Sequence, residues 1–154
     1  MADFPWFPLF VNLAGKKIVV IGAGKIARRR ILTLLDFTET VTVVAPEVHP
    51  DLQAAEAEGR LNVIRRAWLP EDLTGADLVL AATDDGKVNE AVRSECRRLT
   101  IPVNVSSDRR GNDFYVPGIG RKGELVVGVT AGGTDHAAAR RITEAIRALL
   151  ETVE

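Results

Sequence analysis

A carboxylate stands beside two cations just after a predicted strand. The apolar run "IPVNV", residues 101–105, is followed by "SSDRRGND", in which Asp108 directly precedes Arg109 and Arg110. A placed carboxylate can take up a proton or stabilise positive charge, and arginines bind anionic groups. We therefore predict a catalytic role for Asp108 and substrate binding by the two arginines and by Asn104 at the strand's end. The alternative is an ordinary solvated loop.

The second candidate site is a glycine-containing turn. "GAGKIA", residues 22–27, follows the apolar run "KIVVI" and precedes a helical pattern, so it fits G-x-G-x-x-G/A in the expected context. Gly22 permits a tight turn, Gly24 lets the backbone approach a pyrophosphate, and the helix N-terminus offers free N–H groups. A tight strand-to-helix connection without a ligand is the alternative. Because a second strand follows the helix, we favour dinucleotide binding.

The end of the second predicted strand bears on which dinucleotide is bound. NAD-binding folds usually place an acidic residue there for the ribose hydroxyls. This chain has Ala45-Pro46 at that point, with Glu47 next, and we predict NAD with Glu47 near the ribose. NADP stays open, because Lys25 and the run Arg28–Arg30 are able to bind a 2′-phosphate. For the last two arginines of that run, a solvated helix face is the favoured interpretation.

Two further sets of polar residues are candidate ligand contacts, one after the fourth predicted strand and one at the start of the last predicted helix. Thr83 and Asp84, in "AATDD", follow the fourth predicted strand and are expected to contact the nicotinamide half of the cofactor. The alternative is that Asp84 or Asp85 caps the next helix. "AGGTDH", residues 131–136, opens the last predicted helix and makes Thr134 part of a potential carboxylate seat.

Composition limits the possible partners. A net charge of −1 predicts no broad attraction to nucleic acid or to an anionic membrane. Local basic pairs recur, however, and together they suit a substrate with several carboxylates: Arg109-Arg110, Arg121-Lys122 and Arg140-Arg141. Neither histidine stands at metal-ligand spacing with Cys96, so no metal site is predicted. The single cysteine and the lack of a signal-peptide pattern or a spanning apolar run favour a cytoplasmic protein.

Strand and helix patterns alternate through the first two thirds of the chain, which predicts an α/β fold with a Rossmann-like parallel sheet. The expected strands are "KIVVIG", "TVTVVAP", "LNVIRR", "ADLVLAAT" and "IPVNV". We predict a dinucleotide-binding domain over residues 1–112 and a small ββα segment over residues 113–154. That segment has two strands joined through "GRKG" and a closing helix. One stripe of the helix is apolar: Ala138, Ile142, Ala145, Ile146, Leu149 and Val153.

The order of these motifs resembles the precorrin-2 dehydrogenase family of siroheme synthesis, some members of which are also sirohydrochlorin ferrochelatases. The likeness runs from about Phe7 to the end, through "FPLFVNLAGKKIVVIGAGKIARR", "AATDD", "IPVNV", "DFYVPGI" and "TAGG". It implies NAD-dependent oxidation of precorrin-2, a tetrapyrrole with eight carboxylates, to sirohydrochlorin. It also implies a homodimer built through the ββα segment. The implied cofactor contacts are the glycine turn with Lys25 and Ile26, and Pro46 with Glu47.

This chain departs from the family pattern at three places. The family's "NVxD" aspartate, assigned to both dehydrogenation and chelation, corresponds here to Ser107, and the carboxylate follows at Asp108. A usual Ser-Pro pair is replaced by Asp135-His136, and family members continue beyond the position of Glu154. Chelatase activity is therefore left open, and Ser107 is included with Asp108 as a catalytic candidate. The alternatives are a non-catalytic NAD(P)-sensing module, or an oxidoreductase or chelatase for another anionic tetrapyrrole.

Overall fold

The computed structural model describes residues 4–154, and its larger compact unit, residues 12–114, is built on a five-stranded sheet. The strands lie in the order β3-β2-β1-β4-β5, and every neighbouring pair is parallel. This order reverses direction between β1 and β4, the switch point at which open α/β sheets bind ligands. The predicted fold class is confirmed. The strands are β1 Ile18–Ile21, β2 Val41–Val44, β3 Leu61–Ile64, β4 Leu78–Ala81 and β5 Val103–Val105.

Helices connect these strands as the alternating pattern predicts. They are α1 Lys25–Leu34, α2 Gln53–Ala57 and α3 Gly86–Leu99, with 3-10 turns at Pro50–Leu52 and Pro70–Leu73. The short α2 is ended by Gly59, which takes a φ of +75° that a glycine adopts without steric cost. Helix α1 ends at Leu34, and a turn follows.

The core of this unit lies on both faces of the sheet, because parallel strands are covered on both sides. On one face, Val19 and Ile21 of β1 pack with Val79 of β4 and with Val92 of α3. Cys96 belongs to the same cluster and is fully buried. Burial raises the pKa of the Cys96 thiol to about 12, which makes it an inert core residue.

The second compact unit contains residues 4–11 and Tyr115–Glu154. Its regular part is the antiparallel pair β6 Gly118–Lys122 and β7 Leu125–Val129, followed by α4 His136–Glu151. The strands are joined by a two-residue turn at Gly123-Glu124, since most of the expected "GRKG" connection belongs to β6. The ββα arrangement is as predicted, while the division of the chain after residue 112 stays a prediction.

Within this unit, two glycines of β6 let α4 approach closely. A Cβ on Gly120 would lie 2.9 Å from Ile146 Cγ2 and 3.1 Å from Leu150 Cδ1, and one on Gly118 would collide with Thr143. The buried residues of α4 are accordingly Thr143 and Leu150. Of the predicted apolar stripe, Ile146 contributes to this packing face, whereas Ile142 and Leu149 are 53% and 64% exposed. Among residues 4–154, no helix is long and apolar enough to cross a membrane.

Candidate functional site

The glycine turn joins the ends of three neighbouring strands. The Gly22 N–H donates to Val44 O of β2 at 2.9 Å, and Gly22 has a φ of +108°. A Cβ at this position would lie 2.6 Å from the carbonyl oxygen of Ala82, just beyond β4. Only glycine therefore lets the chain turn here while it passes against the end of β4.

The N-terminus of α1 is open to an anion. Gly24 is the N-cap residue, no side chain caps the helix, and its first turn carries no acid. No atom lies within 4 Å of the position of a Gly24 Cβ, and Lys25 and Ile26 are exposed. The first backbone N–H groups of a helix have no intrahelical acceptors, and the helix dipole favours negative charge there. This donor set fits a dinucleotide pyrophosphate.

The segment after β2 is tied to this turn and carries an ion pair. The His49 N–H donates to Ala23 O at 2.9 Å, and Pro46 and Glu47 are exposed nearby in the chain. Arg28 Nη1 lies 2.6 Å from Asp51 Oδ2. The positive charge of Arg28 is therefore already balanced by a carboxylate.

The other two arginines of α1 differ from each other. Arg29 is exposed, as the solvated-face interpretation predicts. For Arg30 that interpretation is wrong, because the side chain is partly buried and donates a hydrogen bond to Asn104 Oδ1. Burial, with a smaller contribution from the neighbouring Arg29 charge, lowers the pKa of Arg30 below its usual value.

Asn89, which is not among the predicted site residues, organises the turn after β4. Its side chain is 0% exposed, and its Oδ1 accepts from the Thr83 N–H at 3.1 Å and from Thr83 Oγ1 at 2.7 Å. Its Nδ2 donates to Thr83 O at 3.1 Å. Asp85 is the residue that caps α3, accepting from the Lys87 N–H at 2.8 Å, whereas Asp84 is exposed. The only sequence signal was a polar residue on the face of α3 that packs on the sheet.

The loop after β5 is held by α3 at both of the candidate catalytic residues. Asn89 Nδ2 donates to Ser107 Oγ at 3.0 Å, and Arg93 Nη1 donates to Asp108 Oδ2 at 3.2 Å. Asp108 Oδ1 also accepts from the Arg110 N–H at 2.9 Å. These contacts, first the Arg110 N–H and then the Arg93 guanidinium, hold the pKa of the Asp108 carboxyl below its usual range. Asp108 is consequently a fixed anion.

The end of the same loop completes the edge of the sheet. Asn112 Oδ1 accepts from the Val105 N–H at 2.7 Å, and Asp113 Oδ2 accepts from the Val103 N–H at 2.9 Å. These side chains occupy the donors of β5, which within residues 4–154 is an edge strand of the sheet. Asn104 is 1% exposed, and its Nδ2 donates to Phe114 O at 2.8 Å.

The remaining predicted site residues are located as follows. Arg109 and Arg110 are exposed on the loop after β5. Thr134 lies in the other compact unit, where its Oγ1 donates to Ala131 O at 2.6 Å, and Asp135 caps α4 by accepting from the Ala138 N–H at 2.8 Å. In the described part of the chain, no group of three or more histidine, cysteine, aspartate or glutamate side chains is arranged to hold a metal ion.

The sheet order and the open glycine turn define a dinucleotide-binding protein of the doubly wound α/β class. The chain belongs to the family described as putative NAD(P)-binding, whose model matches residues 9–118. A nicotinamide dinucleotide is therefore the cofactor class of this fold.

Comparison with individual proteins agrees with the resemblance identified from the sequence. The chain is 41% identical over 143 residues to a siroheme synthase of Methylobacillus flagellatus, covering 93% of this chain and 31% of that protein. It is 40% identical over 147 residues to a siroheme synthase of Pseudomonas putida, with 96% and 31% covered. The solved structure of SirC, precorrin-2 dehydrogenase, superimposes with a TM-score of 0.81 at 28% identity, with 94% of this chain and 70% of that chain covered. The chain thus spans about a third of the length of the curated relatives it matches.

Proposed function

We propose that the protein is a precorrin-2 dehydrogenase, which oxidises precorrin-2 to sirohydrochlorin with a nicotinamide dinucleotide as hydride acceptor. The observation that carries this proposal is a series of contacts at the carboxyl edge of the sheet, consisting of close packing at the glycine turn and hydrogen bonds beyond it. Gly22 lies against the backbone of Ala82 and Thr83, and Asn89 joins Thr83 to Ser107. A dinucleotide held at the glycine turn and a substrate held at the loop after β5 would meet at the switch point. The likeness to SirC supports the same reaction.

In this reaction the protein contributes mainly by binding and orienting the cofactor and the substrate. When bound, the nicotinamide dinucleotide would supply a hydride acceptor for a substrate carbon, and the substrate would lose a proton in the same oxidation. Gly24, Lys25 and Ile26 would hold the pyrophosphate through backbone N–H groups. Gly22, whose own N–H is bonded to Val44 O, would contribute by shaping the turn. The expected contacts with the ribose and the nicotinamide half are Pro46, Glu47, Thr83 and Asp84.

Asp108 would serve the substrate as an ionised carboxylate close to the reacting centre. Its lowered pKa makes it a weak proton acceptor but a reliable negative charge at neutral pH. In this role it stabilises positive charge that develops on the tetrapyrrole as the hydride departs, and the proton passes to solvent. The exposed Arg109 and Arg110 would bind substrate carboxylates.

The ion pair of α1 supports NAD rather than NADP. Of the cations that could bind a 2′-phosphate, Arg28 is paired with Asp51 at 2.6 Å and Arg30 is bonded to Asn104. This leaves the exposed Lys25 and Arg29. Glu47, exposed after β2, adds a second negative charge that disfavours a phosphate and suits ribose hydroxyls.

The exposed apolar face of α4 supports a homodimer formed through the ββα unit. Ile142, Leu149 and Val153 recur at helical spacing and are 53%, 64% and 37% exposed. A helix stripe of this kind is normally covered by another element. A second copy of the chain is the proposed partner.

One observation favours a non-catalytic NAD(P)-sensing module as the second candidate. The position that corresponds to the family aspartate holds Ser107, and the neighbouring carboxylate, Asp108, is paired with Arg93. A sensor would bind the dinucleotide and leave precorrin-2 unchanged.

The deciding experiment is spectroscopic. Purified protein is given precorrin-2 under anaerobic conditions with NAD, with NADP or with neither, and the absorbance spectrum is followed. The proposal expects the sirohydrochlorin spectrum only with a dinucleotide, and faster with NAD. Dinucleotide binding without any spectral change would reject the dehydrogenase and favour the sensor. Heat-denatured protein serves as the control for spontaneous oxidation.

A further inference from the structure

We infer that Asn89 is a positioning residue that fixes the loop carrying Ser107 and Asp108 against the turn carrying Thr83. This inference rests on the proposed function, because it assigns to that loop the substrate side of the reaction. Asn89 is fully buried, so it acts through these neighbours and touches neither substrate nor cofactor.

The hydrogen bonds of Asn89 fix which way its amide points. The Thr83 N–H can only donate and Thr83 O can only accept, so Oδ1 must face the former and Nδ2 the latter, at 3.1 Å each. The second hydrogen of Nδ2 is then directed to Ser107 Oγ at 3.0 Å. Every hydrogen-bonding group of the buried amide is used, which makes the arrangement costly to disrupt.

The orientation of the amide determines what Ser107 can do. Because Asn89 supplies a donor, the Ser107 oxygen acts as the acceptor, and its own hydrogen is left to point elsewhere. Ser107 is exposed, so its hydroxyl remains available as a donor at the surface of the loop. The position is therefore organised for an oxygen that accepts from α3, a role that a serine hydroxyl and a carboxylate both satisfy.

Arg93 extends the same attachment by one helical turn. Residues 89 and 93 are spaced i, i+4 and lie on one face of α3, and Arg93 donates to Asp108 at 3.2 Å. The start of α3 is itself fixed, because Asp85 accepts from the Lys87 N–H at 2.8 Å. Two successive turns of one helix thus hold the two adjacent candidate residues of the loop.

The first test measures the loop without using catalysis. The exposed Arg109 and Arg110 are trypsin sites on the loop that carries Ser107 and Asp108. The rate of trypsin cleavage at these residues therefore reports how often the loop detaches from α3. Asn89→Ala is expected to raise this rate roughly tenfold, because it removes the bond to Ser107 and leaves Thr83 groups unpaired. Val92→Ala is the matched control, since it removes buried volume from α3 but no loop contact. Equal cleavage of the two variants at equal thermal stability would overturn the inference.

The second test separates positioning from general stability. Asn89→Ala is expected to lower kcat roughly 10- to 100-fold. The dinucleotide Kd should rise only about twofold, because Thr83 loses its partner while the glycine turn is untouched. Val92→Ala should retain both. In a double-variant cycle, adding Ser107→Ala to Asn89→Ala should cost little further, because the shared bond is already absent. Independent, multiplying losses would contradict the inference.

Two arrangements keep the tests decisive. If Asn89→Ala does not fold, Ser107→Ala alone, at an exposed position, should raise cleavage at Arg109 and Arg110, and unchanged cleavage would overturn the inference. If the wild-type protein fails to oxidise precorrin-2, the proposed function fails, while the cleavage comparison still decides whether Asn89 anchors the loop.

Discussion

Arg93 and Asp108 form an ion pair between a buried helix residue and a surface loop. Arg93 Nη1 lies 3.2 Å from Asp108 Oδ2, and the arginine side chain is 7% exposed while the aspartate is 38% exposed. Glu90 Oε2 lies 3.0 Å from the same nitrogen, so two carboxylates, one from α3 and one from the loop, balance the buried guanidinium. The aspartate thus has a structural role in addition to the catalytic role proposed for it.

The pH dependence of stability should show this pairing. The pKa of Asp108 is lowered in the folded protein, so its stabilising effect is present above the unfolded value of about 3.9. The effect is lost as pH falls through the lower folded value. Asp108→Asn should therefore melt below the wild type at pH 7, and the gap should close in acid. Thermal melts from pH 3 to pH 7 measure this, and a gap that widens in acid would contradict the assignment.

Replacing Asp108 should also reduce turnover. Asp108→Ala is expected to lower kcat roughly 100-fold, the size typical for the loss of one charged group at a reacting centre. Ser107→Ala, assayed beside it, should have the smaller effect. Full turnover by Asp108→Ala together with loss of turnover in Ser107→Ala would show that the catalytic position is Ser107.

Substitution of the two glycines of the turn should affect two different properties, stability at Gly22 and dinucleotide binding at Gly24. Gly22→Ala is expected to cost ~2–5 kcal/mol of folding free energy, because φ is positive and the new Cβ meets a backbone carbonyl. Gly24, by contrast, has a φ of −81°, and there is open space where the Cβ of Gly24→Ala would lie. The Gly24→Ala variant should fold but bind the dinucleotide more weakly, because the new methyl group would lie where the pyrophosphate is proposed to bind. Chemical denaturation measures the loss of stability and calorimetric titration measures the loss of binding. Tight NAD binding by Gly24→Ala would contradict the assignment of the dinucleotide site to this turn.

Asp51 should control the choice between the two dinucleotides. Asp51→Asn frees the Arg28 guanidinium from its 2.6 Å ion pair, and a free arginine binds phosphate strongly. NADP affinity should rise several-fold while NAD affinity stays nearly constant. Arg28→Gln combined with Asp51→Asn is the control and should remove the gain. An equal rise for both dinucleotides would mean that Arg28 does not approach the 2′ position.

The exposed stripe of α4 should determine the oligomeric state. Introducing charge with Ile142→Lys and Leu149→Lys is expected to convert a dimer into a monomer, because both side chains are mostly exposed within their own unit. Ala148→Lys, on an exposed position away from that stripe, should leave the dimer intact. Light scattering after size exclusion measures the mass, and a monomeric wild-type protein would reject the proposed interface.

The sequence by itself determined the sheet and the glycine turn. Apolar β-branched runs such as Ile18–Ile21 are buried on both faces, so their composition alone identifies parallel strands. Gly22 was identifiable because a strand-to-helix turn of this spacing needs a positive φ. The helix caps were partly readable, since Asp85 stands directly before a helical pattern.

Only the tertiary structure decided which polar side chains meet. Asn89 looks like any polar residue of a helix, and its role depends on Thr83 and Ser107, which lie on two other segments. Arg30 was expected in solvent and is bonded to Asn104, 74 residues away. The exposed side of α4 was likewise unreadable, because glycines in β6 select which face of the helix packs. Sequence periodicity records the spacing within one element, whereas burial depends on what the rest of the chain brings against it.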